Sequence, residues 1–113
     1  MSTINSGYIK IAVKSEIPIG KMKKFKISDK EILVANVDGK FYAINDKCTH
    51  QNTDLSQGTL EANIVTCPKH KSKFDVTTGK VVSPPKILFM HPKIDDETTY
   101  PVRVEGEDVL VKI

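Results

Sequence analysis

Apolar and polar residues alternate in several short runs along this chain, which is the pattern of half-buried β-strands. The first run is YIKIAV, at Tyr8–Val13. Two further runs, EILVANV and KFYAIN, flank Asp38 and Gly39, and an Asp-Gly pair in this position predicts a tight hairpin. Near the other end, YPVRV and DVLVKI flank residues 105–107 and predict a second hairpin. No segment has a sustained helical period, so the sequence predicts an all-β fold.

The middle of the chain has a weaker pattern. The short runs NIVTC, KFDV and TTGKVV predict small strands. Residues 83–101 contain four prolines and predict a long ordered loop rather than a strand. Loops of this length are often functional, so the loop is expected either to connect strands or to cover a site. Its histidine, His91, is expected to be an ordinary surface residue.

Length and composition narrow the class of protein. The chain has 113 residues, of which 39% are hydrophobic and 27% charged, as in a single globular domain. A net charge of +3 is too small to indicate a nucleic-acid partner, and lysines cluster in residues 20–26. No apolar run reaches the ~18 residues of a membrane span, and the first ten residues do not form a signal peptide. We therefore expect a cytoplasmic protein, in which cysteines serve metal binding rather than disulfides.

Both cysteines and two of the three histidines lie in two short motifs, Cys48-x-His50 and Cys67-x-x-His70. Sixteen residues separate the motifs, enough for two loops to converge on one site. Thiolate and imidazole ligands together indicate zinc or an iron–sulfur cluster rather than magnesium or calcium. A zinc finger usually groups its ligands by type, which this pattern does not. A structural zinc site with the same four ligands nevertheless stays open as an alternative.

The runs CTH, DLSQGTLE, CPKHKSKFD and TTGKVVSPP together resemble the Rieske iron–sulfur family, and in particular its small soluble ferredoxins. The resemblance implies an antiparallel β base that carries an inserted cluster-binding subdomain. We expect one Rieske domain over residues 1–113, with the base at 1–44 and 86–113 and the cluster-binding subdomain at 45–85.

The same resemblance implies one [2Fe–2S] cluster per chain. Cys48 and Cys67 would bind one iron, and His50 and His70 the other. Two thiolates neutralise the charge of the oxidised core, whereas four thiolates would make it negative. An electron is therefore easier to add to the cluster with two thiolates. Rieske potentials accordingly lie at about −150 to +300 mV, against about −400 mV for plant-type ferredoxins.

Several positions around the ligands matter for the potential. Ser72 matches a serine that donates a hydrogen bond to sulfur in high-potential family members, whereas Phe74 replaces their tyrosine. We therefore expect a low or intermediate potential within the family range. Lys71 stands where the family usually has a glycine after the second histidine. Whether the backbone can approach the cluster closely at this point is therefore an open question. Leu55 is either an apolar shield over the cluster or an ordinary core residue.

The predicted function is one-electron transfer from a reductase to an acceptor such as an oxygenase, without turnover of a substrate. The sequence has no second metal motif, no nucleotide-binding glycine loop and no long catalytic region. Two alternatives stay open: a zinc-stabilised interaction module, and a small accessory subunit of a reductase complex. Four lysines near the ligand motifs are either a solvated face or a docking patch for an acidic redox partner: Lys47, Lys69, Lys71 and Lys73.

Overall fold

The computed structural model describes residues 7–48, 53–69, 71–83 and 95–113. These residues form eleven β-strands in three antiparallel sheets, together with two short 3-10 helices at Lys14–Glu16 and Leu55–Gln57. The predicted all-β fold is confirmed. No helix in the described segments is long and apolar enough to cross a membrane.

Two of the sheets are built from the first and last parts of the chain. The four-stranded sheet has the order β2-β3-β4-β9 and consists of Met22–Ile27, Lys30–Val37, Lys40–Asn45 and Thr99–Tyr100. The three-stranded sheet has the order β1-β11-β10 and consists of Tyr8–Val13, Asp108–Lys112 and Val102–Glu105. Both predicted hairpins are present, β3–β4 across residues 38–39 and β10–β11 across residues 106–107.

The third sheet is formed by the middle of the chain and has the order β5-β6-β7-β8. Its strands have three residues each: Thr59–Glu61, Ile64–Thr66, Lys73–Asp75 and Val81–Ser83. The three small strands predicted from the hydrophobic runs are β6, β7 and β8, and they are confirmed. The sequence pattern missed β5, which lies in the DLSQGTLE run, and β2, whose three lysines obscure its alternation.

Strand β3 connects two buried cores because successive side chains of a strand point to opposite faces. Ile32 and Val34 face a core that also contains Val109 and Val111 of β11. The neighbouring positions 33 and 35 face a second core, which extends to the third sheet. Burial on both faces explains why EILVANV reads as a nearly continuous apolar run.

The segment at residues 83–101 is described at its two ends only, so the predictions for His91 and for the middle of the loop lie outside the described residues. The loop prediction was wrong for Thr99–Tyr100, which form strand β9 against Ala43 and Ile44. Close to β9, the amide of Glu97 donates a hydrogen bond of 2.7 Å to the carbonyl oxygen of Gly79. This contact connects the described end of the segment to the turn that follows β7.

Candidate metal centre

Cys48 and Cys67 come from loops that follow different sheets, yet both lie in the same buried core. Cys48 is three residues beyond the end of β4, and Cys67 directly follows β6. They are 2% and 1% exposed, and they are not joined in a disulfide. Two of the four predicted ligands therefore share one water-excluding environment. The other two, His50 and His70, lie outside the described residues.

The first ligand loop is the segment 46–55, which contains the Cys48-x-His50 motif, and its two ends are held together by backbone contacts. The amide of Cys48 donates to the carbonyl oxygen of Thr53 at 2.8 Å, and the amide of Leu55 donates to that of Asp46 at 2.7 Å. Between these bonds, Lys47 and Asp54 form an isolated antiparallel bridge. The loop thus begins and ends as a short two-stranded ribbon that is held by backbone hydrogen bonds.

The second ligand loop runs from Cys67 to Ser72, between β6 and β7, and its two ends are joined by a backbone hydrogen bond. The amide of Cys67 donates to the carbonyl oxygen of Ser72 at 2.8 Å, and the amide of Lys71 donates to that of Cys67 at 3.1 Å. Lys71 has a φ of 64°, in the left-handed region that favours glycine. The turn expected of a glycine at this position is therefore formed with a lysine.

Ser72 connects the two loops. Its backbone carbonyl oxygen accepts from Cys67, and its side-chain Oγ lies 3.4 Å from Sγ of Cys48. Ser72 itself is 1% exposed, so this contact is shielded from water. A hydroxyl in this position can donate a hydrogen bond to a thiolate of Cys48.

The apolar side of the site is formed by Leu55 and Phe74, both fully buried in the core cluster that contains the two cysteines. The structure thus places Leu55 in the core beside the two cysteines, and its role as an apolar shield over a cluster stays a prediction. Phe74 offers no hydroxyl to a sulfur atom. Together these side chains exclude water and lower the local dielectric, which strengthens electrostatic contacts with the sulfur atoms.

Gly58 is a site residue that the sequence analysis did not single out. A Cβ built on it would lie 1.8 Å from the carbonyl oxygen of Thr66, the residue before Cys67. Only a residue without a side chain allows this approach, through which the end of the first loop packs against the strand that leads into the second. The signal was present as the glycine of DLSQG, but nothing in one sequence distinguishes it from a turn glycine.

A cluster of four charged residues lies at the base of the first ligand loop. Lys24 on β2 is 2.8 Å from Glu31 and 3.1 Å from Asp54, and Lys47 forms ion pairs with the same two carboxylates. Hydrogen bonds that Lys24 donates to Glu31 and to Asp54 raise its pKa, the one to Glu31 more strongly. Those from Lys47 and then Lys24 lower the pKa of Asp54. These ion pairs connect the first ligand loop to β2 and β3.

Asp46 lies behind this cluster and is fully buried. Its Oδ1 accepts a hydrogen bond of 3.0 Å from the amide of Ser56. Burial raises the pKa of Asp46 against the opposing hydrogen bond from Ser56, and the nearby carboxylate of Asp54 raises it further. Carboxylate oxygens of Glu31, Asp46 and Asp54 lie within 4.8 Å of one another, but Glu31 and Asp54 are already paired with the two lysines. We do not assign this group as a metal site.

The four lysines near the ligand motifs have different environments. Lys47 belongs to the charged cluster, and Nζ of Lys73 donates a hydrogen bond of 2.9 Å to Oγ1 of Thr66. Lys69 and Lys71 are exposed, and neither forms an ion pair with any described residue. The structure thus divides the predicted patch into two engaged and two outward lysines.

The chemistry of the described residues suits a metal–sulfur group. Two thiols without a disulfide lie in a dry apolar environment, with one hydroxyl in reach of a sulfur atom. Buried thiolates need a cation to offset their charge, and a positively charged iron–sulfide core supplies it. The site fits the sulfur-ligated half of the cluster that the motifs imply.

Comparisons with known proteins agree with this chemistry. A family model described as the Rieske [2Fe-2S] domain matches residues 7–92. The chain is 38% identical over 105 residues to the biphenyl dioxygenase ferredoxin subunit of Pseudomonas sp. (strain KKS102), covering 92% of this chain and 90% of that protein.

Solved structures are similar over nearly the whole chain. The ferredoxin of carbazole 1,9a-dioxygenase from Nocardioides aromaticivorans IC177 has a TM-score of 0.78 at 28% identity, covering 93% of this chain and 96% of that one. A chain in the complex of reduced oxygenase and oxidized ferredoxin in carbazole 1,9a-dioxygenase has a TM-score of 0.81 at 28% identity, covering 94% and 93%.

Proposed function

Because this chain belongs to the Rieske [2Fe–2S] family, we propose that it passes single electrons from a reductase to the terminal oxygenase of an aromatic-ring dioxygenase system. Its similarity to dioxygenase ferredoxin subunits extends over almost the full length of both partners in the comparison. A ferredoxin of this kind carries electrons and leaves the chemistry on the substrate to the oxygenase. The relative from the carbazole system supports an oxygenase as the electron acceptor, since that ferredoxin occurs in complex with one.

The observation that carries the proposal is the placement of two buried cysteines around one serine. We propose that Cys48 and Cys67 supply the sulfur ligands and that His50 and His70 supply the nitrogen ligands of one [2Fe–2S] cluster per chain. When bound, such a cluster accepts and releases one electron at a time. The shared burial of the cysteines and the Ser72 contact support this assignment on the sulfur side, and the motif spacing supports it on the nitrogen side.

The residues around the cysteines have distinct tasks in this proposal. The hydroxyl of Ser72 donates to the sulfur of Cys48 and stabilises the negative charge that an added electron brings. Leu55 and Phe74 exclude water from the sulfur atoms. The absence of a hydroxyl on Phe74 removes a second donor and favours a potential in the lower or middle part of the family range.

We further propose that the chain consists of two structural parts. Residues 45–85 would act as the cluster-binding subdomain, and residues 1–44 and 86–113 as its base. The separate four-stranded sheet of β5–β8 supports this division, since it follows the first ligand loop and contains the second between β6 and β7. A cytoplasmic location is consistent with two cysteines that are not joined in a disulfide.

The experiment is metal analysis and spectroscopy of the purified protein. We expect two irons and two acid-labile sulfides per chain, a visible spectrum that bleaches with dithionite, and a rhombic EPR signal after reduction. A colourless protein with stoichiometric zinc, which stays colourless after iron and sulfide reconstitution, would contradict electron transfer and support a zinc-stabilised module.

The ligand assignment is tested with the three histidines, which give a matched set. Substitutions His50→Ala and His70→Ala should abolish cluster incorporation, whereas His91→Ala should leave the iron and sulfide content unchanged. Loss of the cluster in His91→Ala, or its retention in His70→Ala, would require a different ligand set.

A further inference from the structure

Two lysines at the second ligand loop have charges that no described residue pairs. Lys47 and Lys73 are engaged with Asp54 and Thr66, respectively. Lys69 and Lys71, in contrast, are exposed and form no ion pair with any residue that the structure describes. They flank position 70, so both ammonium groups belong to the loop that the motif assigns to the cluster.

The backbone at Lys71 gives an independent reason to look for a function. Its φ of 64° is one that L-residues rarely adopt and that glycine adopts freely. A lysine thus occupies a position where glycine would satisfy the turn with less strain. Backbone strain of this kind is concentrated at functional sites. The side chain, and in particular its charge, is the feature that a glycine would remove.

Charges are also distributed unevenly along the third sheet. The register places Thr59, Thr66 and Lys73 side by side at the end next to Cys67. Glu61 and Asp75 lie at the opposite end, two residues or about 7 Å further along the strands.

Three acidic residues near the ligand loops are hydrogen-bonded, ion-paired or buried within the protein. Asp75 accepts hydrogen bonds from the amide and hydroxyl of Thr77, and Asp54 is paired with two lysines. Asp46 is fully buried. Among the described residues, the exposed charge at the second ligand loop is therefore positive.

We propose that Lys69 and Lys71 form a docking surface for carboxylates on a redox protein partner, and that electrons are exchanged through this surface. The inference rests on the proposed electron-transfer function and names the chemistry of the partner. Exposed charges of one sign next to a redox centre accelerate encounter with an oppositely charged partner, and salt weakens the effect.

The test uses the reduced, cluster-containing protein and two small oxidants of opposite charge, ferricyanide and hexaamminecobalt(III). Rates are measured by stopped flow at low ionic strength for the wild type and for Lys69→Gln/Lys71→Gln. The ratio of the ferricyanide rate to the cobalt rate is the readout, because a change in potential alters both rates in the same direction. We expect the ratio to fall about tenfold in the variant and the difference to shrink at high salt.

The control variant is Lys21→Gln/Lys40→Gln, which removes the same charge from two exposed positions. Both positions lie at the end of the β2–β3–β4 sheet remote from the ligand loops, since they adjoin Asn36 and Val37 rather than Asn45. Its ratio should stay close to the wild-type value. An equal fall in both variants, or no fall in either, would overturn the inference.

Protein acceptors then test docking itself. Plastocyanin serves as an acidic acceptor and cytochrome c as a basic one. The double variant should lose its rate with plastocyanin several-fold relative to cytochrome c. A variant that changes the small-ion ratio but not the protein ratio would show a positive surface that is not a docking surface. The visible spectra of the wild type and of each variant are recorded first. A wild type without a cluster would contradict the proposed function, whereas an unchanged ratio in cluster-containing variants would contradict the docking surface alone.

Discussion

The side-chain oxygen of Ser72 lies 3.4 Å from the sulfur of Cys48, although 24 residues separate them in the chain. The same serine accepts a backbone hydrogen bond from Cys67. One residue of the second ligand loop therefore contacts both cysteines, and any change in its position affects both ligand loops.

Replacing Ser72 with alanine should lower the reduction potential, because the reduced cluster would lose a hydrogen bond that offsets its added charge. A charge-assisted hydrogen bond contributes about 1.5–3 kcal/mol, and part of it differs between the two redox states. We expect a decrease of about 50–100 mV, measured by protein-film voltammetry, since 59 mV corresponds to about 1.4 kcal/mol for one electron.

The control for this variant is Ser72→Thr, which keeps the hydroxyl and should retain most of the potential if the added methyl group is accommodated. An alanine variant with a full cluster and an unchanged potential would show that the hydroxyl does not act on the sulfur.

Replacing Lys71 with glycine should stabilise the protein. The residue has a φ of 64°, and the left-handed conformation disfavours L-residues by roughly 1–2 kcal/mol, of which glycine's greater freedom in the unfolded chain offsets a part. We expect a gain of about 0.5–1 kcal/mol in urea unfolding of the cluster-containing protein. Lys69→Gly is the matched control, since it removes the same charge without a positive φ to relieve, and it should not stabilise. Destabilisation of Lys71→Gly by as much as the control would rule out strain.

Replacing Gly58 with alanine should disturb the contact between the two ligand loops. The new Cβ would lie 1.8 Å from the carbonyl oxygen of Thr66, so the backbone must shift. We expect the free energy of unfolding to fall by about 3 kcal/mol or more. The cluster should also be lost faster on warming, which is measured as the decay of visible absorbance. Thr59→Ala, at the neighbouring exposed position, should change either property little. Normal stability of Gly58→Ala would mean that the loops separate without penalty.

The ion pairs of Asp54 predict a dependence of stability on pH and salt. The pKa of Asp54 is lowered by Lys47 and Lys24, so its contribution is present above the unfolded pKa and is lost as the pH falls through the folded pKa. The pKa of Lys24 is raised, so its contribution is lost only as the pH rises through the alkaline range.

Substitution Asp54→Asn should therefore lower the melting temperature by a few degrees at neutral pH and low salt. The difference from the wild type should begin to shrink as the pH falls below about 4, where Asp54 of the unfolded chain becomes protonated, and should vanish once the pH is also below the lowered pKa of the folded carboxyl. High salt should shrink it as well. Differential scanning calorimetry across pH and salt measures it. A difference that is constant over both conditions would show that packing, not charge, holds the first ligand loop.

Much of this protein could be read from its sequence. The alternation of apolar residues predicts the strands β1, β4, β10 and β11, because a half-buried strand needs that period whatever surrounds it. The nearly continuous apolar run of β3 predicts a strand that is buried on both faces. The ligand motifs and the runs around them identified the Rieske family, the [2Fe–2S] type of cofactor and the role of an electron carrier, and the comparisons confirm all three. The assignments of Cys48, His50, Cys67 and His70 as ligands stay predictions.

Other features depend on contacts between distant parts of the chain, which no local pattern encodes. Gly58 looks like any turn glycine until Thr66 lies against it, and Lys47 and Lys73 look like docking lysines until Asp54 and Thr66 bind them. Strand propensity and the ligand motifs depend on residues that are close together in the sequence. Close approach, ion pairing and the direction in which a charge points arise only when separate strands pack together, and the tertiary structure alone decided them.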